Sequence, residues 1–177
     1  MPRFVALFRG INVGKAKRIA MADLRTLLAA LGYADVRTLL NSGNAVFDAP
    51  GEPAAKHAQR IRAAVAQTLG VDALVIVKSA KEMAAVVAGN ELAAANHDPS
   101  RLLVALTNDP KALAALKGLC PAAGSQERLL VGRHAAYLWC ADGILQSTLA
   151  VALLKGLTSG TTRNWSSVEK IHALLQA

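Results

Sequence analysis

Val36-Arg37-Thr38-Leu39-Leu40-Asn41-Ser42-Gly43-Asn44-Ala45-Val46-Phe47 places two strand-forming runs on either side of a polar, glycine-containing tetrapeptide. Val36 to Leu40 and Ala45 to Phe47 read as strands, and Asn41-Ser42-Gly43-Asn44 has the composition of a tight turn. The stretch is therefore a hairpin. Upstream, Phe4-Val5-Ala6-Leu7-Phe8 is a short apolar run rich in β-formers and reads as the first strand. Between it and the hairpin, Leu24, Leu27, Leu28 and Leu31 recur with the spacing of one helical face. Gly32 follows where a left-handed residue ends a helix.

Downstream, Gly51 and Pro53 lead into a second helix carrying Ile61, Val65 and Leu69 on one face, closed by Gly70. Leu74-Val75-Ile76-Val77 is a fourth strand. The order β-α-β-β-α-β over residues 1–79 is the split-βαβ, or ferredoxin-like, plan. Residues 80–177 repeat it loosely. Ser79-x-x-Glu82 is a capping box opening a helix from Lys81 to Val87, and Leu102 to Thr107 is a strand whose Val104-Ala105-Leu106 echoes Val5-Ala6-Leu7. Asp109-Pro110 caps and starts a helix. Arg128 to Val131 and Ala136 to Cys140 form a hairpin across Gly132-Arg133-His134. Leu145 to Lys155 reads as a helix ended by Gly156, Leu157 to Asn164 as a loop, and Ser166-x-x-Glu169 as a capping box for the last helix. The fold class is α+β, with two tandem ferredoxin-like subdomains, 1–79 and 80–177, related by pseudo-duplication. In the second, a helix stands where a fourth strand would complete the pattern.

Composition narrows the function classes. The chain has 177 residues, 53% hydrophobic and 18% charged, but much of the apolar content is alanine. The longest stretch free of Asp, Glu, Lys and Arg, Gly143 to Leu154, is too short for a bilayer span of roughly 20 residues. Phe4 to Phe8 is too short for a signal-peptide core. The expected protein is soluble and cytoplasmic, with no membrane role. Cys120 and Cys140 have no metal-ligand or redox spacing and read as two buried free thiols. The net charge is +8, and residues 1–80 carry 11 Lys and Arg against 5 Asp and Glu. A basic first half suits an anionic partner, either a small phosphorylated ligand or nucleic acid.

Three segments hold candidate binding residues. Arg9-Gly10-Ile11-Asn12-Val13-Gly14-Lys15 follows the first strand as a phosphate loop would, with Lys17 and Arg18 just beyond. Its spacing is one residue short of a P-loop, and Ala16 stands where that motif needs a hydroxyl for magnesium. It is a backbone nest for an anion, or a tight turn with solvated lysines. In a ferredoxin-like unit the first and second strands run parallel. The loop leaving strand one and the hairpin turn then share one end of the sheet, bringing Arg9, Asn12 and Lys15 near Asn41, Ser42 and Asn44. Leu157-Thr158-Ser159-Gly160-Thr161-Thr162-Arg163-Asn164-Trp165 is a hydroxyl-rich segment before a helix, with Arg163 suited to a phosphate or carboxylate. Arg9, Lys15 and Arg163 would supply charge; Asn12, Ser42, Asn44, Thr162 and Asn164 hydrogen bonds; Gly10, Gly14 and Gly43 backbone shape.

An RNA-recognition sheet shares this plan, and Phe4, Phe8 and Phe47 fall on its first and third strands. Phenylalanines buried in the core are the competing reading. His57, His97, His134 and His172 show no metal spacing, and Asn96-His97-Asp98 is a candidate for a general base. No nucleophile motif is present, so neither a reaction nor a cofactor is named by the sequence.

Arg9-Gly10-Ile11-Asn12-Val13-Gly14, Ser42-Gly43-Asn44-x-Val46-Phe47 and Thr162-Arg163-Asn164-Trp165, with Met21-x-x-Leu24, together resemble the bacterial family known as domain of unknown function 1697. The resemblance runs over essentially the whole chain. It implies two ferredoxin-like subdomains and carries no established activity. Family members usually have a second glycine where Lys15 stands and a β-branched residue where Ala45 stands.

Overall fold

Phe4, Ala6 and Phe8 alternate with Val5 and Leu7 along β1 (Arg3–Phe8), so each strand face receives its own apolar set. The computed structural model describes every residue except Asn96 and His97, so the Asn96-His97-Asp98 candidate lies largely outside the described residues. The chain divides into two compact units, Met1–Lys81 with Ala173–Ala177, and Glu82–His172.

In the first unit, β1 is followed by α1 (Met21–Ala30), β2 (Ala34–Leu39), β3 (Asn44–Asp48), α2 (Ala54–Leu69) and β4 (Val75–Ser79). The sheet order is β2-β3-β1-β4 with all pairs antiparallel, so β1 and β2 run parallel across β3. Phe4, Phe8, Phe47, Leu24, Leu28, Ile61 and Val65 fill the space between the sheet and its two helices. Burying side chains of this size stabilises by roughly 1.5–3 kcal/mol each. Helix α2 ends at Gly70, whose φ of 70° gives the left-handed cap expected there. Against the expected Val36–Leu40 and Ala45–Phe47, β2 begins two residues earlier and stops one short of Leu40, while β3 is one residue longer at each end. The hairpin turn uses Gly43 at φ 89° and, unexpectedly, Leu40 at φ 62° in place of either asparagine.

Three phenylalanines settle the RNA-sheet alternative. Phe4, Phe8 and Phe47 face the helices and are buried, so they offer no surface for stacked bases.

The second unit contains most of α3 (Ala80–Ala88), then β5 (Leu102–Thr107), α4 (Pro110–Ala115), β6 (Arg128–Val131), β7 (Ala136–Trp139), α5 (Thr148–Gly156), β8 (Gly160–Asn164) and the start of α6 (Trp165–Gln176). Its sheet order, β6-β7-β5-β8, repeats the first sheet position for position. The fold is α+β with two similar subdomains. Three local expectations need correction. Residues 160–164 form a strand, because β8 pairs with β5 from Leu103↔Asn164 to Thr107↔Gly160; threonines favour such pairing, and the missing fourth strand is therefore present. Helix α5 starts at Thr148 because the Ser147 hydroxyl accepts from the Ala150 N–H at 3.0 Å; residues 144–146 are a short 3-10 turn. Helix α6 starts at Trp165, capped by Asn164, whose Oδ1 accepts from Ser167 N at 2.9 Å; Ser166 lies inside the helix.

Of the two free thiols, only Cys140 is buried. Burial pushes it up to about 11. Cys120 is exposed because it lies in the connector between α4 and β6, ahead of Pro121.

Candidate ligand-binding rim

Loop 9–20 is built around Asn12. Its backbone sits at φ 56°, a left-handed conformation that asparagine tolerates better than most residues. Its side-chain Nδ2 donates to Ile19 O at 2.9 Å and to Asn41 O at 2.8 Å, and its Oδ1 accepts from Ile19 N at 2.8 Å. The Asn12 N–H closes the loop onto Lys17 O at 3.0 Å. One side chain thus folds loop 9–20 back on itself and joins it to the hairpin turn. Ile11 and Ile19 anchor the same loop by inserting into the first core.

The turn is held from its own side. Asn44, fully buried, donates to Leu39 O at 2.7 Å and to Ser42 Oγ at 3.0 Å. Phe8 N–H donates to Gly43 O at 2.9 Å, and Arg9 N–H to Leu74 O at 2.9 Å. A Cβ on Gly43 would lie 2.5 Å from Ile11 Cδ1 and 2.9 Å from Phe8 Cβ, so glycine is required by space as well as by φ. Gly10 and Gly14, both at φ 69°, have open space around them and shape the exposed part of the loop.

Arg9, Asn12 and Lys15 therefore share the end of the first sheet with Ser42, Gly43 and Asn44. The two asparagines act mainly on backbone groups. Outward charge comes from Lys15, Lys17 and Arg18, all exposed. Beside them lies a cavity of about 390 Å³ lined by Asn12, Arg18, Ile19, Ala20, Asp23 and Asn41. Ala20 precedes α1 and brings no side-chain cap to the first-turn amides. The sequence marks Lys17 and Arg18 as part of a basic patch but gives no reason to single out Asp23 or Ala20. The seven-residue reach from Asn12 to Ile19 is invisible to a spacing argument.

Thr162, Arg163 and Asn164 belong to the second unit. Arg163 is buried in β8 and donates to Thr161 Oγ1 at 3.0 Å and Thr162 O at 2.8 Å. Burial lowers its guanidinium to about 10. Asn164 caps α6, as described above.

The first core also holds a buried histidine. His57 Nε2 donates to Pro50 O at 3.2 Å, because that carbonyl can only accept. Its Nδ1 pairs with the Tyr33 hydroxyl at 3.0 Å, so both ring nitrogens have a partner inside the core. Burial raises the Tyr33 hydroxyl above its ordinary value, opposed by the Arg60 guanidinium. This is a satisfied structural histidine. Among the described residues, no group of three or more His, Cys, Asp and Glu side chains could hold a metal ion, and no helix is long and apolar enough to cross a membrane.

Two antiparallel four-stranded sheets of identical order, with the Asn12-built loop and the Gly43 turn at one end of the first, define a duplicated α+β protein. The chain belongs to the family described as Protein of unknown function (DUF1697), which matches residues 1–137; that match ends before Thr162-Arg163-Asn164-Trp165. Among solved structures it is similar to the conserved bacterial protein SP0830 from Streptococcus pneumoniae. The TM-score is 0.80 at 24% identity, over 100% of this chain and 99% of that one, which shows the shared fold. No curated protein matches the chain.

Proposed function

We propose that the first unit binds a small anionic or phosphorylated ligand on the rim made by loop 9–20 and the hairpin turn. One observation carries this reading: the Asn12 side chain ties the two loops together beside a cavity at the start of α1, with Arg18 on the cavity wall and Lys15 and Lys17 exposed in the same loop. Arg18 and the lysines attract the anion, the Gly10 and Gly14 backbone lets it approach, and Ser42 supplies a hydroxyl. The α1 first-turn amides favour negative charge nearby. Asp23, on the cavity wall, opposes it and sets the affinity low.

The test is titration of the full chain with inorganic phosphate and pyrophosphate, followed by amide chemical shifts. Saturable shifts at residues 10–20 and 41–43 support the reading. Arg18→Ala should weaken binding about 5-fold, and Asp23→Asn should tighten it by a similar factor. Absence of saturable shifts there, or an Asp23→Asn variant that binds more weakly, would remove the site. Nucleic acid is the second reading, favoured by the same three exposed cations. It requires affinity for a duplex or single strand that falls steeply with salt.

A further inference from the structure

Helix α4 spans only Pro110–Ala115 and runs on into a 3-10 turn at Leu116–Gly118. Pro110, Leu113, Ala114 and Lys117 recur at i, i+3, i+4 and i+7, so they share one face. That face borders a cavity of about 360 Å³ in the second unit, whose other wall is Val131, Gly132 and Arg133. Leu113 belongs to the second core and Val131 packs against it. The floor is therefore the margin of that core, left open between a short helix and the edge strand β6. Strands β5 and β6 both pair antiparallel with β7 and so run parallel to each other. The end of β5, where α4 begins, and the end of β6, where Arg133 follows, thus lie at the same end of the sheet. Lys117 lies two helical turns further along the stripe.

The groove combines an aliphatic floor with unneutralised positive charge. No aromatic ring and no carboxylate is among its lining side chains. Residues 110–118 and 128–134, which build it, include Lys111, Lys117, Arg128 and Arg133 but no Asp or Glu. Lys117 and Arg133 are exposed, and among the described residues no carboxylate pairs with either. Asp109, the acid next along the chain, is engaged as the cap of α4, accepting from Lys111 N at 3.0 Å. Such a groove suits a molecule that is apolar along most of its length and anionic at one end. A nucleotide or sugar phosphate would press polar atoms against Leu113 and Val131, where they find no partners. An aromatic acid finds no ring to stack on.

We propose that this groove binds an alkyl monocarboxylate. The chain lies on Leu113, Ala114 and Val131, and removing that surface from water drives binding. Arg133 takes the carboxylate, because its planar fork matches the two oxygens. Lys117 covers the chain with its own aliphatic stem and adds a favourable field while its ammonium stays in water.

The test is titration of the ¹⁵N-labelled full chain with octanoate, read at the amides of residues 111–117 and 131–133. These should shift saturably. Butyrate should bind at least about 10-fold more weakly, because it lacks four methylenes. Octanol, which keeps the chain but not the charge, should bind about 5-fold more weakly. Suberate, an octanoate with a second carboxylate at the far end, should also lose affinity, since that group meets the apolar floor. Arg133→Gln should weaken octanoate about 5-fold and leave octanol unchanged, whereas Lys117→Gln should cost about 2-fold. Ala114→Phe fills the groove from an exposed position and should remove the response; Ala115→Phe, exposed and off the stripe, should preserve it. Unmoved amides at these residues, octanol equal to octanoate, suberate tighter than octanoate, or full binding by Ala114→Phe or Arg133→Gln would overturn the proposal.

Discussion

Val5-Ala6-Leu7 and Val104-Ala105-Leu106 occupy the same place in the two sheets, and their partners coincide as well. Lys78 stands opposite Val5, and Arg163 stands opposite Val104. Both cations are buried at this register position. One step of comparison further, the units part company. Val75 opposite Phe8 becomes Gly160 opposite Thr107. Residues 9–20 separate the first strand from its helix in one unit. In the other, Asn108 and Asp109 suffice, with Asp109 capping α4 through a 3.0 Å bond from Lys111 N. Duplication preserves what the sheet register demands and releases what the loops do. The candidate rim belongs to the part that diverged.

The largest effect should come from forcing Gly160 to resemble Val75. A Cβ there would sit 2.5 Å from Leu106 O and 2.5 Å from Leu157 Cδ2, against backbone that cannot turn aside. Gly160→Ala should cost about 3–4 kcal/mol in denaturant unfolding, while Val75→Ala costs about half as much. Near-equal losses would mean that the two positions are not the distinct environments described. Gly43→Ala comes next, at about 2–3 kcal/mol, because it combines a φ of 89° with contacts to Ile11 and Phe8. Gly10→Ala at φ 69°, with open space around it, is the control and should cost about 1 kcal/mol.

Asn12→Ala removes three side-chain hydrogen bonds at once. It should destabilise by about 2 kcal/mol and remove the phosphate-dependent shifts of residues 10–20, with no change in the second unit's amides. The smallest effect concerns pH. Arg3 bonds Asp48 across the β1–β3 register at 2.8 Å, and that bond holds the Asp48 carboxyl below the usual carboxylate range. A depressed folded value contributes stability above the unfolded pKa of roughly 4 and loses it as pH falls through the folded one. Arg3→Ala should therefore cost about 1 kcal/mol at pH 7 and progressively less below pH 4, by urea titration at each pH. A loss independent of pH would assign the effect to packing.

Much of this was legible beforehand, for physical reasons that also mark the limits. Periodicity exposes elements whose burial is one-sided, so α1, α2 and the first hairpin were readable from Leu24, Ile61 and the Asn41–Asn44 turn. Strand β8 was hidden because Thr161, Thr162 and Arg163 carry no apolar alternation; a buried guanidinium occupies a core position that hydropathy counts as surface. Topology placed Asn12 near the hairpin turn correctly. Its attachment to Ile19 and Asn41 was beyond reach, because side-chain bonds to backbone carbonyls leave no periodic trace. The anchoring of Glu127 escaped for a similar reason. Glu127, Ser125 and Ser147 become a unit only after β6 and α5 have taken up their positions.

The Asn12 clasp has one further consequence, for proteolysis. Loop 9–20 displays Lys15, Lys17 and Arg18, three exposed sites for a trypsin-like protease. Such an enzyme needs the chain drawn out as a strand across its cleft, and the clasp keeps the loop folded back from Asn12 to Ile19. Opening the loop for cleavage means breaking those bonds and withdrawing Ile19 from the core. The most basic segment of the protein should therefore be cut slowly although it is open to solvent.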